Sequence, residues 1–183
     1  MHELLYSLWL FLPAGVANMV PTIVWRLPGL RNWNTPVDMA REWRGIRLLG
    51  ANKTWRGMVC GVVAAGMVFY IQQQTMHQFG SFSDYLKTAE YGTLPLWFGA
   101  LMGFGALFGD LVESFVKRQK RIPSGKSWFP FDQLDYIFGA CLITLPFYTT
   151  ETIIYILIAL NWFVLHLVFS ALGYSLKFKK EFI

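Results

Sequence analysis

From Tyr136 to Leu176 the chain is an almost unbroken run of apolar residues. A helix needs about 20 apolar residues to cross a ~30 Å hydrocarbon core, so this run is too long for one crossing. Pro146, Thr149, Thr150 and Glu151 interrupt it, and a proline among polar residues marks a turn. The run therefore reads as two antiparallel spans, about 134–149 and 152–173. Three more apolar segments precede it, at about 4–24, 57–75 and 94–113. The expected fold is all-α: a polytopic membrane protein with five transmembrane helices in a single integral membrane domain, residues 1–183.

Composition supports this and excludes other classes. Hydrophobic residues make up 55% of the 183 and charged residues 15%, against about 25% charged in soluble domains. Such a chain is neither disordered nor a conventional cytosolic enzyme. Cys60 and Cys141 lie alone in apolar segments, so neither a disulfide nor a zinc site is expected. The first span lacks a basic leader and a small-residue cleavage site, which fits a retained helix rather than a signal peptide. Pro13 and Pro21 are expected to kink it, since proline removes a helix hydrogen bond. The second span has only ~15 clean apolar residues after Gly57, or ~22 Å of helix, and must extend through Gln72–Thr75.

The basic residues fix an expected orientation. The loop at 25–56 carries Arg26, Arg31, Arg41, Arg44, Arg47, Lys53 and Arg56. The loop at 114–133 carries Lys117, Arg118, Lys120, Arg121 and Lys126, and the tail carries Lys177, Lys179 and Lys180. The loop at 72–93 holds only Lys87. By the positive-inside rule both basic loops and the carboxyl terminus are cytoplasmic, and the amino terminus is outside the cell (plasma) membrane. The same distribution accounts for the net charge of +5 without a nucleic-acid partner.

Other features concern packing. Gly99, Gly103, Gly105 and Gly109 make two small-xxx-small pairs, which let helix backbones approach closely. Trp25 and Trp97 sit at span ends as belt residues. Asn161 and His166 lie within the fifth span, and polar groups there face the bundle or a cavity. Pro36 followed by Asp38 resembles a helix start, with Gly45 as its stop. Trp33, Trp43 and Ile46 would then rest at the headgroup level.

Four carboxylates bear on chemistry. Asp110 and Glu113, three apart, share one face at the inner end of the third span. Asp132 and Asp135 have the same spacing at the inner end of the fourth. The topology brings both pairs to one depth, with Lys117-Arg118-Gln119-Lys120-Arg121 between them. A set of interfacial salt bridges is one reading of this cluster. The other is a divalent-metal site, since carboxylates without His or Cys suit hard ions such as Mg²⁺, which also bind phosphates. Asp132 and Asp135 would be the principal ligands, with Asp110 from the facing helix end; Glu113 could instead pair with Lys117. A second cationic segment, Gly50-Ala51-Asn52-Lys53-Thr54-Trp55-Arg56-Gly57, opens the second span. Amides at that helix start, with Lys53 and Arg56, suit a polyphosphate. No Walker A pattern is present, which excludes an ordinary P-loop ATPase.

The stretch Gly109-Asp110-Leu111-Val112-Glu113-Ser114-Phe115-Val116-Lys117-Arg118, then Ile122-Pro123-Ser124-Gly125, then Phe131-Asp132-Gln133-Leu134-Asp135 resembles the signature of the CTP:phospholipid cytidylyltransferases. With Asn52-Lys53-Thr54-Trp55-Arg56-Gly57 upstream in a short chain, it is most similar to the branch acting on archaeal ether lipids. It lacks the Lys-Asp pair and His-Gly-Gly of the longer diacyl enzymes, and Asp132-Gln133-Leu134-Asp135 replaces their Asp-Arg-x-Asp. The resemblance implies transfer of CMP from CTP to unsaturated archaetidic acid, giving CDP-archaeol and pyrophosphate. It implies Mg²⁺ on Asp110, Asp132 and Asp135, catalytic roles for these three and Lys117, and substrate contacts from Asn52, Lys53, Thr54, Arg56, Glu113, Ser114, Lys117 and Arg118. The expected partners are CTP, a membrane lipid phosphate and the bilayer, with a homo-oligomer left open. The same reaction on diacyl phosphatidic acid is the alternative, followed by a non-enzymatic transporter or scaffold. A CDP-alcohol phosphotransferase is disfavoured, because its Asp-Gly-x-x-Ala-Arg opening is not found.

Overall fold

The apolar segments form helices that are longer at the charged ends than their hydropathy marks out. In the computed structural model, which describes residues 1–80, 85–86 and 89–175, α1 (His2–Met19) and α2 (Pro21–Val24) make the first span. α3 is Trp55–Gln78, α4 a single turn at Ala89–Gly92, α5 Trp97–Gln119, α6 Phe131–Thr144 and α7 Thr152–Ser175. Lys87, Lys177, Lys179 and Lys180 lie outside the described residues. Among the described residues four spans, His2–Val24, α3, α5 and α7, are long and apolar enough to cross a membrane. α6 has 14 residues, or ~21 Å of helix.

Pro13 is accommodated inside α1, and the break comes at Pro21, which opens α2; a first-turn proline lacks only an N–H that would be unpaired anyway. α3 does run through Gln72–Thr75. Two of its glutamines are satisfied inside the bundle: Gln72 Nε2 donates to the Trp9 carbonyl at 2.6 Å, and Gln73 Nε2 to the Leu94 carbonyl at 2.6 Å. Asn161 meets the Ser7 hydroxyl at 2.7 Å, and His166 lies by the Tyr136 ring. These are interhelical contacts, the role expected of polar groups at that depth.

α5 sits at the centre and uses its glycines on two faces. Gly99 and Gly103 abut Phe69 and Ala65 of α3, while Gly105 and Gly109 abut Gly139, Ala140 and the Asp135 backbone of α6. The opposite surfaces are apolar stripes that face outward: Val59, Val63 and Met67 on α3, Phe104, Phe108 and Val112 on α5, and Leu160, Val164 and Val168 on α7. Exposed apolar rows at helical spacing on several helices are surfaces for lipid, not water.

The loop between α2 and α3 is not the short helix expected at Pro36–Gly45. It forms a two-residue hairpin, β1 (Glu42–Trp43) against β2 (Ile46–Arg47), turning through Arg44 and Gly45 at positive φ. Asp38 is the reason. Its carboxylate accepts from the amides of Ala40, Leu49 and Gly50 and from the Arg47 guanidinium, all within 3.1 Å. Burial alone would raise its pKa, but Arg47 and the three amides outweigh burial and hold the carboxyl well below the usual carboxylate range. Trp33 and Trp43 are exposed on this loop. Residues 35–37 then run beside 53–55, with Val37 N donating to the Lys53 carbonyl and Trp55 N to that of Thr35. That pairing returns the chain to α3 with Lys53 aimed at α5.

Candidate active site

Extension of α5 to Gln119 places Lys117 and Arg118 in its last turns rather than in the expected 114–133 loop, and α6 begins at Phe131 rather than 134. The physical cause is pairing. Lys117, only 7% exposed, reaches the two Asp132 oxygens at 2.9 and 3.1 Å and lies 3.6 Å from Glu113. Lysine and arginine in the last turn also complement the negative end of the helix dipole. Asp132 also accepts from Trp128 N at 2.9 Å, which anchors the start of α6.

Close packing of Gly109 on Asp135 then sets the acids face to face. Asp110, Glu113 and Asp135 each offer an oxygen within 4.8 Å of the others. The expected trio of Asp110, Asp132 and Asp135 is thus not the one brought together. Glu113 takes the third place, and the Asp132 carboxylate is occupied by Lys117. Lys53 Nζ donates to both Asp110 oxygens at 2.7 Å. Burial would lower the Lys53 pKa, but the charges of Asp110, Asp135 and Glu113 raise it above its ordinary value. The ammonium is therefore firmly charged.

The other expected site residues divide between the site and its frame. Asn52 Nδ2 donates to Ser124 Oγ at 3.3 Å, joining the two loops beside the cluster. Arg118 Nη2 donates to the Pro123 carbonyl. Thr54 caps α3, its Oγ1 accepting from Gly57 N at 3.3 Å, and Ser114 is buried. Arg56 is not brought to the acids; it is 5% exposed and donates to the carbonyls of Leu30 and Arg31. It holds the first loop to α3.

The cluster fits a hard divalent cation on two grounds. Its donors are all carboxylate oxygens, the set that Mg²⁺-type ions select. Glu113 Oε1 is buried with no hydrogen bond, only the Lys117 ammonium 3.6 Å away, whereas buried polar atoms are almost always hydrogen-bonded. Helices carrying a lipid-facing exterior and a cluster of charged side chains at one end of the bundle define a multi-pass membrane protein. The comparisons agree. The model of the CarS-like family, CDP-archaeol synthase, matches residues 1–182. The CDP-archaeol synthase of Pyrococcus furiosus is 31% identical over 180 residues, covering 98% of each chain. That of Thermococcus gammatolerans is 36% identical over 83% of this chain and 80% of its own. A solved structure, described as an intramembrane enzyme for archaeal membrane lipids biosynthesis, superposes with a TM-score of 0.70. It is 28% identical and covers 90% of this chain and 92% of its own. The chain belongs to the CDP-archaeol synthase family.

Proposed function

We propose that this chain transfers CMP from CTP to unsaturated archaetidic acid, an isoprenoid ether lipid phosphate, forming CDP-archaeol and pyrophosphate. The observation that carries this reading is the pooling of charge at the loop end of the bundle. Asp110, Glu113, Asp132 and Asp135 surround Lys53 and Lys117, an excess of two formal negative charges. That excess matches one divalent cation. Asp110, Glu113 and Asp135 would hold Mg²⁺, whose chemistry is to neutralise phosphate oxygens and fix their geometry.

In the reaction a lipid phosphate oxygen attacks the α-phosphorus of CTP. A new P–O bond forms, and the bond to the oxygen bridging the β-phosphate breaks, with pyrophosphate taking the electron pair. The attacking phosphate is already ionised, its second pKa being about 6, so no side chain is needed as a base. The obstacle is repulsion between two anions, and lysines lower it. Lys117 is fixed by Asp132 and Glu113. The Lys53 side chain is 27% exposed and can exchange Asp110 for a phosphate oxygen. Asn52 and Arg118 extend the cationic, hydrogen-bonding surface toward the nucleotide, while Thr54, Arg56 and Ser114 hold the elements that carry it.

Purified protein given labelled CTP, Mg²⁺ and parallel ether and diacyl lipid phosphates tests this directly. The expected product is CDP-lipid, formed faster from the ether substrate. Lys53→Ala should raise the KM for CTP about tenfold, the worth of one charge-assisted hydrogen bond. Absence of CDP-lipid from either phosphate would sink the reading.

The reading also requires CTP to reach the site from the cytoplasm, so both loops and the carboxyl terminus lie inside the plasma membrane and α6 supplies a fifth crossing. Contacts at both ends of α5 support that crossing. Asp132 pairs with Lys117 near one end, and Phe147, just past α6, packs on Trp97 at the other. In a variant without Cys60 and Cys141, a cysteine replacing Glu90 should react with an impermeant maleimide on intact cells, and one replacing Ser124 should not. The opposite pattern refutes the orientation.

A further inference from the structure

The two lysines of the acid cluster are held differently. The Lys117 side chain is 9% exposed and serves two carboxylates, Asp132 at 2.9 Å and Glu113 at 3.6 Å. Among the described residues Lys53 is ion-paired with Asp110 alone, its Nζ lying 2.7 Å from each oxygen, and its side chain is 27% exposed. The backbone that carries Lys53 is pinned. Val37 N donates to the Lys53 carbonyl at 2.8 Å, Trp55 N to that of Thr35 at 3.0 Å, and Asn52 is tied to Ser124. A move of the ammonium off Asp110 therefore needs side-chain rotation only, while the loop stays in place. The three acids that could share an ion are also unequally prepared. Glu113 Oε1 makes no hydrogen bond, whereas both Asp110 oxygens face the Lys53 ammonium.

We infer that Lys53 is a placeholder for the divalent cation: without nucleotide its ammonium takes up Asp110 and keeps the acids from holding an ion, and a triphosphate draws it away, so that nucleotide and ion are taken up together. A cation on Asp110 would otherwise share that carboxylate with a like charge 2.7 Å from either oxygen, and partly buried charges are screened much less than exposed ones. A triphosphate suits the exchange because its oxygens form charge-assisted hydrogen bonds with a lysine and also bind a hard ion such as Mg²⁺. Lys117 lacks this freedom, since leaving its place would strand Asp132 and Glu113 together. It is the fixed cation of the site and Lys53 the exchangeable one. The inference rests on the cytidylyltransferase reading for the identity of the triphosphate, and the experiment separates the two.

Mn²⁺ binding to the full chain, followed by electron paramagnetic resonance with neither nucleotide nor lipid phosphate present, reads the placeholder directly. Lys53→Met keeps side-chain length and loses the charge. It should bind Mn²⁺ at least about tenfold more tightly than the parent, the smaller end of what one adjacent charge does to an ionised carboxylate. Lys53→Arg should match the parent. Lys120→Met removes the same charge from a lysine that lies over the Trp128 ring, and it should gain nothing. Melting temperature is recorded on each preparation, and Lys53→Gln, with the same expected gain, replaces Lys53→Met if that variant does not fold. Equal Mn²⁺ affinity in the parent and the uncharged variant overturns the inference, as does a gain of the same size in Lys120→Met, which would make it an effect of net charge. Formation of CDP-lipid by the parent without the Mn²⁺ gain refutes the placeholder and leaves the reaction standing. The gain without CDP-lipid refutes the reaction and leaves a cation site guarded by Lys53.

Discussion

Asp135→Asn protein should extract and melt like the parent while forming CDP-lipid at least ~100-fold more slowly, a loss of about 2.7 kcal/mol of transition-state stabilisation. The substitution keeps size and shape and removes one charge from the group that shares 4.8 Å with Asp110 and Glu113. The Asp135 oxygen accepts from Tyr136 N at 2.6 Å, and an asparagine carbonyl can accept the same bond, so the helix start survives. Mn²⁺ titration followed by electron paramagnetic resonance gives a readout independent of turnover, and the affinity should fall with the activity. Asp132→Asn should behave differently. It breaks a pair whose side chains are 9% and 22% exposed, and leaving a buried lysine with a weaker partner costs stability, up to about 3 kcal/mol. A lowered melting temperature with normal turnover in Asp135→Asn would show that the cluster is only a structural ion-pair network.

The contrast between Asp132 and Asp135 marks where sequence reasoning stops. An i, i+3 spacing places both acids on one helix face, and the apolar spans place that face opposite Asp110 and Glu113. The choice between Glu113 and Asp132 as the third member depends on which of them Lys117 hydrogen-bonds, Asp132 at 2.9 Å rather than Glu113 at 3.6 Å, a property of helix rotation and side-chain length. The apolar runs are legible because burial in lipid demands them over whole helices. The last turns of α5 are not, since Lys117 and Arg118 read as loop residues until their partners are in place. The first loop misleads for a similar reason. Pro36 and Asp38 have the local pattern of a helix start, but the Asp38 carboxylate serves amides up to 12 residues away. Arg56 likewise reads as a phosphate ligand because its carbonyl partners, Leu30 and Arg31, are set by the return path of that loop.

Gly139→Ala should be among the most damaging single-methyl changes in the bundle. A Cβ there would lie 2.7 Å from Gly109 Cα, 2.8 Å from its N, and on the carbonyl oxygen of Gly105. These are backbone atoms of α5, which cannot rotate aside as a side chain does, so the two helices must separate. Overpacking of this kind costs roughly 1–3 kcal/mol. Activity should fall further than stability alone explains, because the same contact positions the site. Gly109 precedes Asp110, and Gly139 lies one helical turn beyond Asp135 on the facing helix. A shift of about 1 Å between catalytic groups lowers rates about 100-fold. Gly66→Ala is the control, since its Cβ would meet Ala100 at 3.8 Å, an ordinary contact. Melting temperature and turnover per folded molecule are measured on both variants. If Gly139→Ala matches Gly66→Ala in both, the glycine seam does not set the spacing of the acids, and the site must be held instead by the Lys117–Asp132 pair across the helix ends.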